Sequence, residues 1–235
     1  MSVRQHRALD IFSGLPLKER LFVRARFFSA PLAALAARCP VGRILDVGCG
    51  HGALIALLAG ETGRTVLGID PDPRKVAWAK AGPGQLANVS LRQATVDDLL
   101  PDLEGYFDAV AVADVLYLLP TQAWADFAEC CRRLLKPGGL LLLKEAEANR
   151  SWKHYKCLAQ EQVMVRLLRR THGSGGLTLQ PRRFTEQLLA NRGFAVEEVV
   201  DLSAGYTTPH VLYVARAELA ARPASSPYEA SRMPR

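Results

Sequence analysis

The sequence predicts an α/β protein built on a mostly parallel sheet that is covered by helices on both faces. Short apolar strand-like runs alternate with helix-like segments between residues 43 and 144. Strands that are apolar at nearly every position are typical of parallel sheets buried on both sides. Two later strand-like runs, Phe194–Leu202 and Val211–Arg216, are separated by only eight residues. Because a parallel crossover needs about a dozen residues or more, we expect this last pair to be antiparallel.

The elements can be assigned in chain order. Two helices are expected before the sheet, at Leu15–Phe28 and Pro31–Arg38. The five expected parallel strands are Arg43–Val47, Thr65–Ile69, Val89–Gln93, Phe107–Val112 and Leu140–Lys144. The helices between them are Ala53–Ala59, Pro73–Ala81 and Gln122–Leu135. The sequence LKPGG is expected to end the last of these helices and to turn the chain into the fifth strand. Further helices are expected at Ser151–Arg170 and Arg183–Asn191.

The length of 235 residues suits one large α/β domain. We expect residues 1–40 to form an N-terminal helical extension and residues 41–217 to form the α/β domain. Within that domain, residues 150–183 are expected to be a basic helical insertion between the fifth and sixth strands. Residues 218–235 are rich in proline, serine and alanine, and we expect them to be a disordered tail.

The net charge of +7 is concentrated in one segment. Residues 150–183 contain eight arginines and lysines against one acid, which indicates either an anionic partner or a solvated basic face. No apolar run is long enough to cross a membrane, and the N-terminus lacks the apolar core of a signal peptide. Five cysteines without a CxxC pair argue against a disulfide framework, so we expect a reduced, cytoplasmic protein.

The sequence ILDVGCGHGAL, residues 44–54, contains three glycines at alternate positions. A metal site using Cys49 and His51 would lack further ligands at a familiar spacing, and we expect no metal. A nucleophile elbow would require serine between two glycines. A nucleotide loop fits best, because the glycines lie at the first strand-to-helix turn, where backbone can approach a ligand at a helix N-terminus. Cys49 and His51 are then expected to act mainly as spacers.

Two nucleotide cofactors fit the loop. Asp70 follows Gly52 by eighteen residues and could accept both ribose hydroxyls of an adenosine, or could cap the helix near Pro73. The glycine spacing alone satisfies a loose NAD fingerprint. S-adenosylmethionine is favoured by Asp46 just ahead of the glycines, by the sequence QATVDDL after the third strand, and by the antiparallel pair at the end.

In these segments the chain resembles the class I S-adenosylmethionine-dependent methyltransferases, through ILDVGCGHGAL, VLGIDPDP, VSLRQATVDDL, FDAVAVADVLYLL and LLKPGGLLLLKE. The resemblance implies a Rossmann-like sheet of seven strands with the last strand antiparallel, and S-adenosyl-L-methionine as cofactor. It places the methionine part near Asp46, Gly48, Cys49, Gly50 and Gly52, the ribose near Asp70 and Pro71, the adenine near Val96 and Asp97, and the methyl group near Asp114. Thr95 departs from the pattern, since many relatives have an acid there.

The acceptor is expected to be a small-molecule or lipid-type compound, anionic in character, methylated at oxygen or carbon. His210 lies in the last inter-strand connection and has the intrinsic pKa of a general base, although it could equally be a structural histidine. His154 and Tyr117 are the other candidate catalytic residues, and Tyr117 could simply pack. The basic segment 150–183 could form a substrate lid or contact an anionic membrane surface peripherally.

Two other functions remain open. An RNA methyltransferase could use Asp114, Lys144 and a glutamate at 197 or 198, but the N-terminal helices offer no clear first lysine for such a set. No Asn/Asp-Pro-Pro-aromatic motif follows the fourth strand, which disfavours exocyclic-amine methylation of nucleic acids. A scaffold that binds S-adenosylmethionine without catalysis is the third possibility, and the intact loop with Asp70 and Asp114 argues against it.

Overall fold

The computed structural model describes residues 3–147 and 179–218. Residues 1–2, 148–178 and 219–235 lie outside it, and they include most of the insertion expected at 150–183 and of the tail expected at 218–235. The described part of the chain contains a seven-stranded sheet in the order β3-β2-β1-β4-β5-β7-β6. The strands are β1 Gly42–Val47, β2 Arg64–Asp70, β3 Val89–Gln93, β4 Phe107–Ala113, β5 Leu135–Ala146, β6 Phe194–Asp201 and β7 His210–Ala217. The pairs from β3 to β5 are parallel, while β7 is antiparallel to both β5 and β6. The predicted fold class is confirmed.

Helices cover both faces of this sheet. Those in the described residues are α1 Val3–Asp10, α2 Leu17–Ser29, α3 Leu32–Ala36, α4 Ala53–Leu58, α5 Pro73–Ala81, α6 Leu100–Leu103, α7 Trp124–Leu134 and α8 Arg182–Ala190. Helix α5 shows why the chain turns helical where it does. Asp72 at its N-cap accepts a hydrogen bond from the backbone N–H of Arg74, and Pro73 occupies the first helical position.

Alternate residues of each strand enter two separate apolar clusters. On one face, Ile44 packs with α1 to α4, and on the other face Leu45 packs with α7 and α8. Together the two clusters bury large side chains on both sides of the sheet, which explains why the strands are apolar throughout. The N-terminal segment shares the first cluster, to which it contributes Val23 and Phe27 of α2 and Phe12 in the turn after α1.

The sequence LKPGG behaves differently from the prediction. Helix α7 ends at Leu134 and β5 begins at Leu135, so these five residues form the start of the strand. Leu135 pairs with Phe107, but the next pair is Ala109 with Leu140, which leaves Pro137 and both glycines in a bulge. Gly138 has φ +78°, a left-handed conformation that allows the bulge to form while Leu135 stays paired with Phe107.

Candidate active site

The turn between β1 and α4 contains three glycines with positive φ, namely Gly48 at +68°, Gly50 at +56° and Gly52 at +84°. A Cβ on Gly48 would lie 2.5 Å from Cγ2 of Val115, and one on Gly52 would lie 2.5 Å from Cγ of Pro83. By contrast, a Cβ on Gly50 would meet no atom within 4 Å. Two glycines therefore make close packing possible, while Gly50 presents bare backbone to open space, as a ligand-binding loop requires.

Asp70 fixes this loop to the end of β2. Its Oδ2 accepts a hydrogen bond of 3.0 Å from the backbone N–H of Gly50, and its Oδ1 accepts one of 2.9 Å from Asp72. Because Asp72 caps α5, the capping role considered for Asp70 belongs to its neighbour two residues on. Pro71 lies between the two acids. Asp70 is buried, and the loop it holds is the one that contains Gly50.

Asp46 lies in β1, one residue before the end of the strand, and is buried. Its Oδ2 has no hydrogen-bond partner among the described residues, and burial raises the pKa of this carboxyl to about 8. A buried carboxylate without a partner is costly, so the position calls for a donor or a cation from outside the chain. The ammonium group in the methionine part of S-adenosylmethionine supplies both a positive charge and N–H donors. Asp46 therefore fits this cofactor.

The segment after β3 reaches the same edge of the sheet. Val96 is buried, and Oδ1 of Asp97 lies 2.9 Å from the thiol of Cys130 on α7, which donates to it. Thr95 donates both its backbone N–H and its hydroxyl to Asp98, at 2.7 and 2.8 Å. Thr95, which departs from the family pattern, thus forms a turn with Asp98, while Asp97 contacts α7.

Asp114 at the end of β4 is the one non-glycine residue with positive φ in the described chain, at +61°. A left-handed non-glycine residue costs about 1–3 kcal/mol and persists only where its surroundings hold it. Here Nζ of Lys144 donates to its two oxygens at 2.5 and 2.6 Å, and Nη2 of Arg26 donates at 2.5 Å. Although Asp114 is buried, these two cations hold its pKa well below the usual range.

His210 begins β7 at this same edge. Its Nε2 lies 2.9 Å from the backbone carbonyl of Ser29 on α2. A carbonyl only accepts, so Nε2 carries the proton and Nδ1 carries the lone pair. Nδ1 is buried and has no partner among the described residues. Burial lowers the pKa of His210 to about 4, with the positive charge of Lys144 acting in the same direction, so the ring is neutral at pH 7.

Glu145 supports the loop that follows Asp114. Its Oε1 accepts hydrogen bonds from the backbone N–H groups of Val115 and Leu116, at 3.1 and 2.9 Å. Burial raises the pKa of Glu145 to about 8, and its Oε2 has no partner among the described residues. Tyr117 follows in a short turn of 3-10 helix and is buried.

Helix α2 crosses the carboxyl edge of the sheet and contacts three of its loops. Oε2 of Glu19 lies 2.8 Å from Nε2 of His51 in the glycine loop, Arg26 binds Asp114, and the Ser29 carbonyl accepts from His210. The expectation that His51 is a spacer is therefore wrong, because its side chain links the glycine loop to α2. Cys49 is buried, and burial raises its pKa well above the usual value, which agrees with a non-nucleophilic role.

Sequence reasoning missed the roles of Glu19, Arg26 and the Ser29 carbonyl. The spacing of seven residues between Glu19 and Arg26 places them on one face of a helix, which is the signal that could have found them. The set of residues considered for RNA methylation does not assemble. Glu198 pairs with Arg38 and Glu197 with Arg216, both at solvent-exposed positions.

Other candidates give simple outcomes. His154 lies outside the described residues. Within residues 3–147 and 179–218 no group of three histidine, cysteine or acidic side chains could hold a metal ion. The helices in these two ranges are all too short or too polar to span a bilayer.

The sheet order and the edge loops define a class I S-adenosylmethionine-dependent methyltransferase. A family model described as a methyltransferase domain matches residues 19–199, and the chain belongs to this family. Its cofactor is S-adenosyl-L-methionine, which the site geometry described above accommodates.

Curated proteins with similar sequences are named as O-methyltransferases. The chain is 33% identical over 132 residues to a ubiquinone biosynthesis O-methyltransferase of Acinetobacter baylyi, which covers 55% of this chain and 54% of the relative. It is 35% identical over 131 residues to the protein of that name from Alkalilimnicola ehrlichii, covering 55% and 52%. The chain thus aligns with about half the length of the curated relatives it matches.

Solved structures share the fold. One is the 1,6-didemethyltoxoflavin-N1-methyltransferase of Burkholderia thailandensis with bound S-adenosylhomocysteine, at 16% identity and a TM-score of 0.65, covering 93% of this chain and 92% of the other. Another is an S-adenosylmethionine-dependent methyltransferase of Archaeoglobus fulgidus, at 13% identity and a TM-score of 0.63, covering 83% and 99%.

Proposed function

We propose that this protein methylates a hydroxyl group on a small aromatic or lipid-type acceptor. The observation that carries the proposal is the buried Nδ1 of His210, which has no partner in residues 3–147 and 179–218 and lies near the Asp114–Lys144 ion pair at the carboxyl edge of the sheet. The names of the relatives, which concern O-methylation, support the choice of oxygen over carbon.

Bound S-adenosylmethionine supplies an electrophilic methyl group on a sulfonium. We propose that Asp46 binds the amino-acid end of that cofactor together with the glycine loop, including the backbone of Cys49. Asp70 and Pro71 would contact the ribose, and Val96 and Asp97 the adenine. The support is the common edge on which these residues lie and the open space at Gly50.

His210 would take the proton of the acceptor hydroxyl. The Ser29 carbonyl holds the tautomer in which Nδ1 is the acceptor, and the ring is neutral at pH 7 because burial lowers its pKa to about 4. The negative charge of Asp114 acts against that lowering, so it would stabilise the imidazolium that forms when the proton arrives. In this scheme Tyr117 would form part of the wall of the acceptor site, and His154 would not take part in the reaction.

We propose that the acceptor is anionic in character. The support is the basic segment 150–183, whose eight arginines and lysines against one acid favour an anionic partner or surface. The four described cysteines are free thiols, which supports a reducing compartment such as the cytoplasm.

The test is methyl transfer to a panel of soluble phenols and catechols, followed by mass spectrometry, in the wild type and in His210→Gln. Glutamine can keep the hydrogen bond to the Ser29 carbonyl but has no basic nitrogen at the Nδ1 position. We expect kcat to fall at least about a hundredfold, as for loss of a general base, with unchanged affinity for S-adenosylmethionine. The matched control is His6→Gln, the same change at an exposed position on α1. If His210→Gln retains activity within a few-fold of the control, His210 is not the base.

A further inference from the structure

The side of α2 that faces away from the active site carries an exposed apolar stripe. Leu17, Leu21 and Phe28 are 67%, 57% and 55% exposed. Their spacing of four and seven residues places them on one face of the helix. Elsewhere in the described residues, large apolar side chains reach comparable exposure only at Val41 and Tyr106, which lie beside the amino ends of β1 and β4. The stripe is therefore a distinct surface, and we call it the outer face of α2.

An open groove of about 640 Å³ runs along this face. Its lining combines apolar side chains with one cation: Leu17, Lys18, Leu21, Phe22 and Ala25. The ring of Phe22 also contacts the ring of His51, with centroids 4.9 Å apart. Phe22 is therefore shared between the groove and the side of α2 that contacts the glycine loop.

The exposed charges on α2 are all positive. Lys18, Arg20 and Arg24 are exposed, and Arg24 lies over the ring of Phe28 at 5.9 Å. The acid of this helix that lies among them in sequence, Glu19, is turned to the opposite side and bound to His51. Apolar side chains flanked by lysine and arginine are the pattern of a helix that lies in the interface of an anionic membrane.

We propose that the outer face of α2 docks on an anionic lipid bilayer. The apolar stripe enters the acyl boundary, and the three cations contact lipid phosphates. An acidic protein could pair with the same three cations, but two leucines and a phenylalanine more than half exposed between them favour the acyl boundary of a bilayer, which needs no matching shape. The docking stands on these residues alone. Its use, which is to bring the protein to a lipid-type acceptor in the bilayer, rests on the proposed function.

The test is vesicle flotation of the full chain. Vesicles of phosphatidylcholine alone are compared with vesicles of equal parts phosphatidylcholine and phosphatidylglycerol. The variant is the double substitution Leu17→Glu and Leu21→Glu, and the matched control is Val41→Glu, which adds an acid at an equally exposed apolar site beside the amino end of β1. We expect wild type and control to float with the anionic vesicles, and the double variant to bind them about tenfold more weakly or worse.

Three results would overturn the proposal. The first is a wild type that does not float, or that floats equally with both vesicle types. The second is a double variant that floats as well as the control, which would assign binding to another surface such as the basic segment 150–183. The third is a dimer of the wild type in ultracentrifugation that the double variant abolishes, with no vesicle binding, and the stripe would then be a contact between two copies.

Affinity for S-adenosylmethionine and methylation of a soluble phenol separate this proposal from the proposed function. If the wild type methylates the soluble phenol but ignores vesicles, only the docking is wrong. If it binds anionic vesicles and methylates no phenol, only the proposed reaction is wrong. Both measurements on the double variant also show whether it is folded.

Discussion

Substitution of three glycines by alanine separates packing, backbone strain and cofactor contact. Gly48, Gly50 and Gly138 all have positive φ, at +68°, +56° and +78°. Alanine in this conformation costs about 1–2 kcal/mol. At Gly48 the new methyl would also lie 2.5 Å from Val115, and overpacking adds about 1–3 kcal/mol. At Gly50 and Gly138 no atom lies within 4 Å of the new methyl, so strain alone remains.

The expected free energies of unfolding follow from these contacts. Gly138→Ala and Gly50→Ala should each lose about 1–2 kcal/mol, and Gly48→Ala about 2–5 kcal/mol. Urea denaturation without cofactor measures these losses, and calorimetry measures the affinity for S-adenosylmethionine. Gly138→Ala should bind the cofactor normally because it lies in the β5 bulge. Gly50→Ala should bind it at least about tenfold more weakly, since the methyl fills the space where the ligand approaches.

Two results would refute this reasoning. If Gly50→Ala binds S-adenosylmethionine as well as Gly138→Ala does, the open space at Gly50 is not the cofactor site. If Gly48→Ala and Gly138→Ala lose the same stability, the contact with Val115 does not restrict the loop.

Two further predictions concern buried charges. The pKa of Asp46 is about 8 in the folded protein and about 3.8 in the unfolded chain. Between these pH values the carboxyl ionises more readily in the unfolded chain, so the stability of the cofactor-free fold decreases as the pH rises. Asp46→Asn should therefore have a higher Tm than the wild type at pH 8 and a similar Tm at pH 4. Its affinity for S-adenosylmethionine should fall roughly tenfold to a hundredfold. A Tm below that of the wild type at pH 8 would contradict the assignment. Lys144→Met removes a fully buried partner of Asp114 and should cost about 3–5 kcal/mol in urea denaturation, whereas Lys136→Met, which removes a partly exposed partner of Asp108, should cost under about 1 kcal/mol. Equal losses in the two lysine variants would show that burial does not govern the Asp114 pair.

The sheet could be predicted because its signals are local. Strand β3 and helix α5 have the bounds expected from periodicity, and the short link between β6 and β7 alone indicated that β7 is antiparallel. The start of β5 was not predictable in the same way. Pro137 and Gly138 normally end regular structure, and only the pairing of Leu135 with Phe107 across the sheet extends the strand past them.

The common location of the expected cofactor residues could be predicted from sequence, whereas the contacts around Asp114 and His210 could not. Asp46, Asp70 and the glycines lie within thirty residues of one another and follow strand ends, so their meeting follows from parallel topology. Arg26 and Asp114 are 88 residues apart, and Ser29 and His210 are 181 apart. Their contacts depend on how α2 lies across the sheet, which no local pattern in the sequence encodes.

The reversal of β7 has a consequence for how this site can diversify. Because β7 runs against its neighbours, its first residue, His210, lies at the edge where β1, β2 and β4 deliver their last residues. The connection before β7, residues 202–209, therefore lies at the same edge as the glycine loop, although it follows all the expected cofactor-binding segments in the chain. Under the proposed function, insertions or point mutations in this connection are expected to change the acceptor preference while the segments around Asp46, Asp70 and Asp97 keep their sequence. That connection is the place to begin when testing variants of this protein on a different acceptor.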